Sequence, residues 1–379
     1  MVLLAALLAV LLVRGGHIPQ GQIAKTVNAR PPGSRAQPQG ADAHAATQRT
    51  PARPVTTAVK DELCGVSGSA LFRTADETIE QHVARVTEPA ISRWKGSLTA
   101  SEDPRRRAIG LALANAQPKA NPGEERSKDT PVNNSLVLLA METDDPAIYA
   151  LAISQCQEGD YDMAPGPCAG LSWEHWANID PDNAIPWLWI AAKAERASDQ
   201  QGVEVALAKA ASAAGIEEYG TPLSALAIDA LPRDLPPLEK AVAGAEVISA
   251  APGGAPIAIL SLCSETSTQQ PVRKEQCSNI AKALAKQGST LIDLVLASRL
   301  ADQLGFPQDT RAALGTESRT ARATMTRTIP YPWSDLSDDS GFRCTTVLGY
   351  DSFIDALRAA RGSELAALEA VGRKVGNAK

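Results

Sequence analysis

The chain has 379 residues, 44% of them hydrophobic but only 4% aromatic, and carries a formal net charge of −6. That length admits one large or two ordinary domains, and alanine, the best helix former, fills the place of the missing aromatics, so composition points to helix. Residues 14–58 hold six basic groups (Arg14, Lys25, Arg30, Arg35, Arg49, Arg53) against one acid, Asp42, which leaves residues 59–379 with 31 basic and 42 acidic side chains and a balance of −11; such a body repels a phosphate backbone, and no nucleic-acid binding is expected.

Residues 2–13, VLLAALLAVLLV, are an unbroken apolar run. Twelve helical residues span about 18 Å, short of the roughly 30 Å hydrocarbon core. The length suits the apolar stretch of a signal peptide or a minimal signal anchor at residues 1–13. No basic segment precedes the run and no A-x-A cleavage site follows directly; a start upstream of Met1 would account for both. The basic groups that follow argue for a cytoplasmic body, whereas the cysteines argue for export. Residues 14–58, rich in Pro, Gly, Ala and Arg without apolar periodicity, read as a disordered tether. Membrane contact is expected through the N-terminal segment only.

From residue 59 to 379 the pattern changes to repeated helix starts, so the expectation is a single all-α body of antiparallel helical hairpins with little or no β. A sub-boundary is expected near residues 250–255. Thr74 and Glu77 fit a capping box ahead of an Ile79, Val83, Val86 stripe. Asp103-Pro104, Asp145-Pro146 and Asp180-Pro181 each read as an N-cap with proline at the first helical position. Leu238, Ala241, Val242 and Ala245 form the face of a helix after Pro236-Pro237. Ile292, Leu296, Leu300 and Leu304 form another, stopped by Gly305 and Pro307. The last two helices are expected over about 352–360 and 363–371. Thr328 to Trp333 and Thr345 to Leu348 are the candidate extended segments, and Gly253-Gly254 reads as a helix-to-helix turn.

Residues 180–210, DPDNAIPWLWIAAKAERASDQQGVEVALAKA, fit a helical hairpin with Trp187 and Ile190 on its first helix and Val203, Leu207 and Ala210 on its second. This segment resembles a tetratricopeptide repeat, a hairpin of about 34 residues. Ala191 stands where that pattern has glycine, Ala194 where it has tyrosine, and Val203 at a position that is usually small. Asp145-Pro146 begins a looser copy with an enlarged loop, so the resemblance covers roughly residues 145–210. It implies a helical-repeat protein that binds a peptide or partner protein in a groove and performs no chemistry.

Six cysteines occur: Cys64, Cys156, Cys168, Cys263, Cys277 and Cys344. None forms a C-x-x-C pair, none lies at zinc-ligand spacing from histidine, and neither a metal nor a cofactor is expected. An even count behind an export-like segment fits disulfides. Cys156–Cys168 and Cys263–Cys277 would each staple the open end of a hairpin, with Cys64 and Cys344 left to join the ends of the body. The alternative is six buried thiols in a cytoplasmic protein.

Few residues offer chemistry. His17 and His44 lie in the tether, His82 reads as a surface residue, and His175 beside Glu174 lacks an orienting third group. Ser92-Arg93-Trp94-Lys95 matches the S-x-x-K start of a serine acyl-enzyme motif without its companions. No phosphate-binding loop occurs. Asp144, Asp145, Glu158, Asp160 and Asp162 read as a solvated acidic face. Trp173, Trp176, Trp187 and Trp189 stand out, four tryptophans within 17 residues of a chain that has six. They cannot all face one core, and those that do not are candidate anchors for a partner. The functional expectation is an envelope-located binding or scaffolding protein with a protein or peptide partner. An exported helical hydrolase using Ser92/Lys95 or Glu174/His175 is the alternative from another class.

Overall fold

Alanine-rich sequence punctuated by Asp-Pro and Pro-Pro pairs gives short helices with defined starts, and the computed structural model shows fifteen of them among its described residues. Those residues are 59–60, 72–73, 77, 79–115, 131–158, 162–252, 258–328, 337–338, 341–342, 344–361 and 363–377. All belong to one unit, Ala58–Lys379. In order the helices are α1 (Ile79–Thr99), α2 (Pro104–Asn115), α3 (Pro131–Thr143), α4 (Pro146–Cys156), α5 (Trp173–Ile179), α6 (Ala184–Arg196), α7 (Gln200–Ser212) and α8 (Gly220–Asp229). They continue as α9 (Pro237–Ala250), α10 (Ile259–Leu262), α11 (Pro271–Gln287), α12 (Leu291–Gln303), α13 (Gln308–Thr328), α14 (Cys344–Ala359) and α15 (Glu364–Asn377). Extended pairing among the described residues amounts to three two-residue antiparallel ladders and one isolated parallel bridge, Asn183 with Gly215. The protein is all-α. The apolar leader, the tether, Thr74, Cys64, Asp160 and the Gly253-Gly254 turn lie outside the described residues.

Two of the three Asp-Pro starts stand where the sequence places them. Asp103 Oδ1 accepts from the N–H groups of Arg105 and Arg106, and Asp145 Oδ1 from those of Ala147 and Ile148, satisfying donors a helix leaves open. The third is displaced. Asn183 caps α6 through Ile185 N–H, while Asp180 ends α5 and accepts from Asn183 Nδ2 and the Tyr219 hydroxyl. An asparagine was available three residues on, and Pro186 needs no N–H partner in the first turn.

Other expectations are corrected by packing. Glu77 holds Arg85, with Arg85 Nε donating to its Oε1 at 2.8 Å, and its expected capping partner Thr74 lies outside the described residues. His82 is fully buried, its Nδ1 2.7 Å from Arg85 Nη2. Thr345 to Leu348 are helical, because α14 begins at Cys344. Ile292 is 47% exposed while Leu296, Leu300 and Leu304 are buried, since a straight i, i+4 series drifts off the contact face of a 3.6-residue helix. Residues 329–336 lie outside the described residues.

Sequence neighbours pack on each other along most of the chain, and α9 breaks that pattern by contacting α1, α2, α8 and α14. Its inner face is built of small residues: Ala241, Ala243, Gly244 and Ala250 are buried beside Leu238 and Val247. A Cβ at Gly244 would fall on the Ile354 side chain of α14, which fills the notch the glycine leaves. Polar groups fix the same joint. Lys240 Nζ meets Asp351 Oδ1 at 2.6 Å and Asp355 Oδ1 at 3.2 Å. Lys95 of α1 pairs with Glu246 at 2.7 Å, and Gln155 of α4 donates to the Ala250 carbonyl at the C-terminal end of α9.

The cysteines staple two turns. Cys156 ends α4 and bonds Cys168, which lies in a 3-10 turn at Gly166–Gly170 ahead of α5, with Cα atoms 5.4 Å apart. The enclosed loop carries the ladder of Gln157–Glu158 with Asp162–Met163. Cys263 follows α10 and bonds Cys277, Cα atoms 5.7 Å apart. Cys277 sits inside α11 rather than at its start, because Pro271 begins that helix within the segment expected to be loop. The expected Cys64–Cys344 bridge falls outside the described side chains.

Gly244→Val is expected to destabilise the protein by ~1–3 kcal/mol through overpacking against Ile354. Ile354→Ala in the same molecule should recover part of that loss, both read by urea unfolding. Bridges closing spans of 12 and 14 residues contribute about 3 kcal/mol each in the chain-entropy model. Non-reducing peptide mapping should recover both links, and Cys156→Ser/Cys168→Ser should lower Tm.

Candidate functional site

Ser172 starts α5 by accepting the His175 N–H on its Oγ at 3.0 Å. That start puts Trp173 and Trp176, three residues apart, on one face, and both are 2% exposed. Trp189 of α6 stacks on Trp173, ring centroids 4.7 Å apart and planes within 8°. Three of the four clustered tryptophans therefore hold α5 against α6, and offset ring pairs of this kind stabilise beyond their buried area.

Trp187 is the exception. It lies two residues from Trp189 on a helix, about 200° around the axis, outside the ring stack, and like Trp189 it is partly buried. Its Nε1 donates to the Pro181 carbonyl at 3.2 Å, which fixes the ring. Together with Ile190, Gly202, Val205 and Ala206 it lines a groove of about 310 Å³ between α6 and α7. Val205 stands 55% exposed on the rim. Lys209 Nζ is 5.9 Å from the Trp187 ring centroid, at the outer reach of a cation–π contact. Three residues separate the helices, and Asp199 begins α7 by accepting the Gly202 N–H. The α6–α7 pair is the most extensively packed hairpin of the chain. Nothing in the local sequence marks Val205 as a rim residue; its exposure follows from which face of α7 packs on α6.

The candidate catalytic pairs do not converge. Ser92 Oγ donates to Glu88 Oε1 at 2.6 Å, while Lys95 is held by Glu246. Glu174 pairs with Lys193 at 3.2 Å. His175 Nε2 lies 4.0 Å from Asp144 Oδ1 and its ring 5.0 Å from that of Tyr149. Each of the four is engaged with a group outside its own pair. Among the described residues no group of three or more His, Cys, Asp or Glu is placed to hold a metal, and no described helix is long and apolar enough to cross a membrane.

The most perturbed acid lies elsewhere. Burial raises the Glu364 carboxyl to about 7, against the lowering effect of the Leu291 N–H it accepts at 3.2 Å, and the Asp293 carboxylate raises it further. Asp293 is itself 1% exposed and caps α12, its Oδ2 accepting from Ser289 N, Thr290 N and Thr290 Oγ1. These two acids join the starts of α12 and α15. Compared with protein-family models, with curated proteins and with solved structures, the chain shows no match.

Folded Glu364 keeps its proton to about pH 7, whereas an unfolded glutamate releases it near 4.3. Its contribution to stability is therefore complete below about pH 4 and is lost as pH rises through about 7. The expected loss is roughly 4 kcal/mol at most. Glu364→Gln should abolish this component, so the excess of its unfolding free energy over that of the parent should grow from about pH 4 to 7 and level off above neutrality.

Proposed function

We propose that this protein is an exported, disulfide-held helical scaffold whose α6–α7 hairpin presents its groove to a protein or peptide partner. The groove carries the proposal: Trp187, a fixed and partly buried ring, faces a rim residue, Val205, that leaves apolar surface in water. Trp is a frequent anchor of binding energy, and a partner side chain entering the groove would bury both residues. The resemblance to a tetratricopeptide repeat supports the same reading. Of the positions on which that resemblance rests, Ala191, Ala194, Val203, Leu207 and Ala210 are buried, and Trp187 and Ile190 are partly buried.

Two cystines support an oxidising compartment, in keeping with delivery to the periplasm or cell envelope by the apolar residues 1–13. The acidic balance of residues 59–379 supports a protein rather than a nucleic-acid partner.

A photo-crosslinker at Gln201, on the groove, should trap a defined partner in intact cells. Trp187→Ala and Val205→Asp should each reduce that adduct about tenfold or more, while Leu348→Asp, an exposed apolar residue of α14 (49% exposed), should leave it unchanged. An adduct that persists equally in all three variants would refute the proposal. Circular dichroism should show the same helix content throughout.

A further inference from the structure

Four arginines meet in one groove of a body whose charge balance is negative. The groove, about 430 Å³, runs between α12 and α13 and is lined by Arg299, Arg311, Arg319 and Arg322 against a single carboxylate, Asp302. Arg311, Arg319 and Arg322 fall at i, i+8 and i+11 of α13, within about 80° of one helix face. Gathering like charges on one face is unfavourable by itself, and the local carboxylates do not relieve it. Among the described residues none lies within ion-pair distance of these three guanidinium groups. Arg311 Nε donates to the Phe306 carbonyl at 2.9 Å and Arg319 Nη2 to Thr316 Oγ1 at 3.0 Å, which orient both groups and leave other N–H donors of each unused.

Two further features suit an anion rather than bulk water. Ser318 lines the groove and is 6% exposed, so a hydroxyl stands in the groove wall where a ligand oxygen can accept from it. Gly315 keeps the groove open: a Cβ there would stand 3.2 Å from Arg319 Nη1 and 3.9 Å from Ser298 Oγ.

We infer that the α12–α13 groove is a binding site for a phosphate group, held by Arg299, Arg311, Arg319 and Arg322 with Ser318 supplying a neutral hydroxyl. Planar guanidinium groups arriving from two helices match the several acceptor oxygens of a phosphate, and charge-assisted bonds of this kind are the strong ones. The start of α13 at Gln308 adds the positive end of a 21-residue helix to the same groove. The phosphate can be that of a soluble metabolite or of a lipid headgroup, since both present the same oxygens. The inference is independent of the partner groove on α6 and α7.

The test uses the full oxidised chain with two probes, pyrophosphate in calorimetry and vesicles of phosphatidylglycerol against phosphatidylcholine in flotation. Binding of either probe should weaken about tenfold or more in Arg319→Gln/Arg322→Gln, a pair on the exposed side of α13, with Tm unchanged. Arg319→Lys/Arg322→Lys, which keeps the charge, should retain part of it, and Arg233→Gln, on the loop between α8 and α9, all of it. Pyrophosphate binding lost in the double variant establishes a soluble phosphate site; vesicle binding alone, lost in the same variant, establishes a headgroup site. Absence of both, or binding that the double variant leaves intact, overturns the inference.

Discussion

The fit of Ile354 into Gly244 joins the two helices at the centre of the body. Helices keep 8–10 Å between axes according to the side chains at their contact, and the glycine leaves a notch on α9 that the Ile354 side chain of α14 fills. Leu238, Ala241 and Val247 then close the same face of α9, whose remaining contacts reach α1, α2 and α8. Around this dry seam sits a ring of ionic contacts, Lys240 with Asp351 and Asp355, and Arg358 with Asp229 and Asp355. Arg358 also donates to the Ile228 carbonyl at the end of α8. Partly exposed pairs of this kind add little stability each, but they fix the register that the apolar seam, being built of small residues, leaves loosely specified.

A core poor in aromatics has few large side chains with which to lock neighbouring helices, and the tryptophans are spent where that matters most. Trp94 donates through Nε1 to the Ala227 carbonyl and ties α1 to α8. Trp173, Trp176 and Trp189 tie α5 to α6 next to the Cys156–Cys168 staple. Both cystines close turns rather than distant segments, so each restrains one local reversal, while long-range order comes from α9 and from the packing of α7 on α11, α13 on α15 and α2 on α8. Trp187 is left over from this scheme, half outside the packing, and that surplus gives the α6–α7 hairpin a usable groove.

The two grooves differ in character. The α6–α7 groove is apolar and centred on one tryptophan; the α12–α13 groove is basic and has a serine hydroxyl in its wall. The first groove suits the apolar side chain of a protein partner and the second the oxygens of a phosphate. Neither requires the residues that sequence patterns single out for catalysis, because Ser92, Lys95, Glu174 and His175 are each occupied by neighbouring side chains.

The helical class was legible from the sequence because its signals are local: alanine content, Asp-Pro starts at residues 103 and 145, and the glycine stop at Gly305, whose φ of +68° suits no other residue as well. The pairing of cysteines across short loops was legible for the same reason, since nearby residues in a chain are close whatever the fold. Tertiary structure alone decided what required distance information. It buried His82, shifted the α6 start to Asn183, turned Ile292 outward, and separated Trp187 from the other three clustered tryptophans. It also collected Arg299 with three arginines of the next helix and raised Glu364 beside Asp293. Periodicity says that a face exists, but the identity of the face that is covered depends on which helices arrive, and that is a property of packing rather than of any one segment.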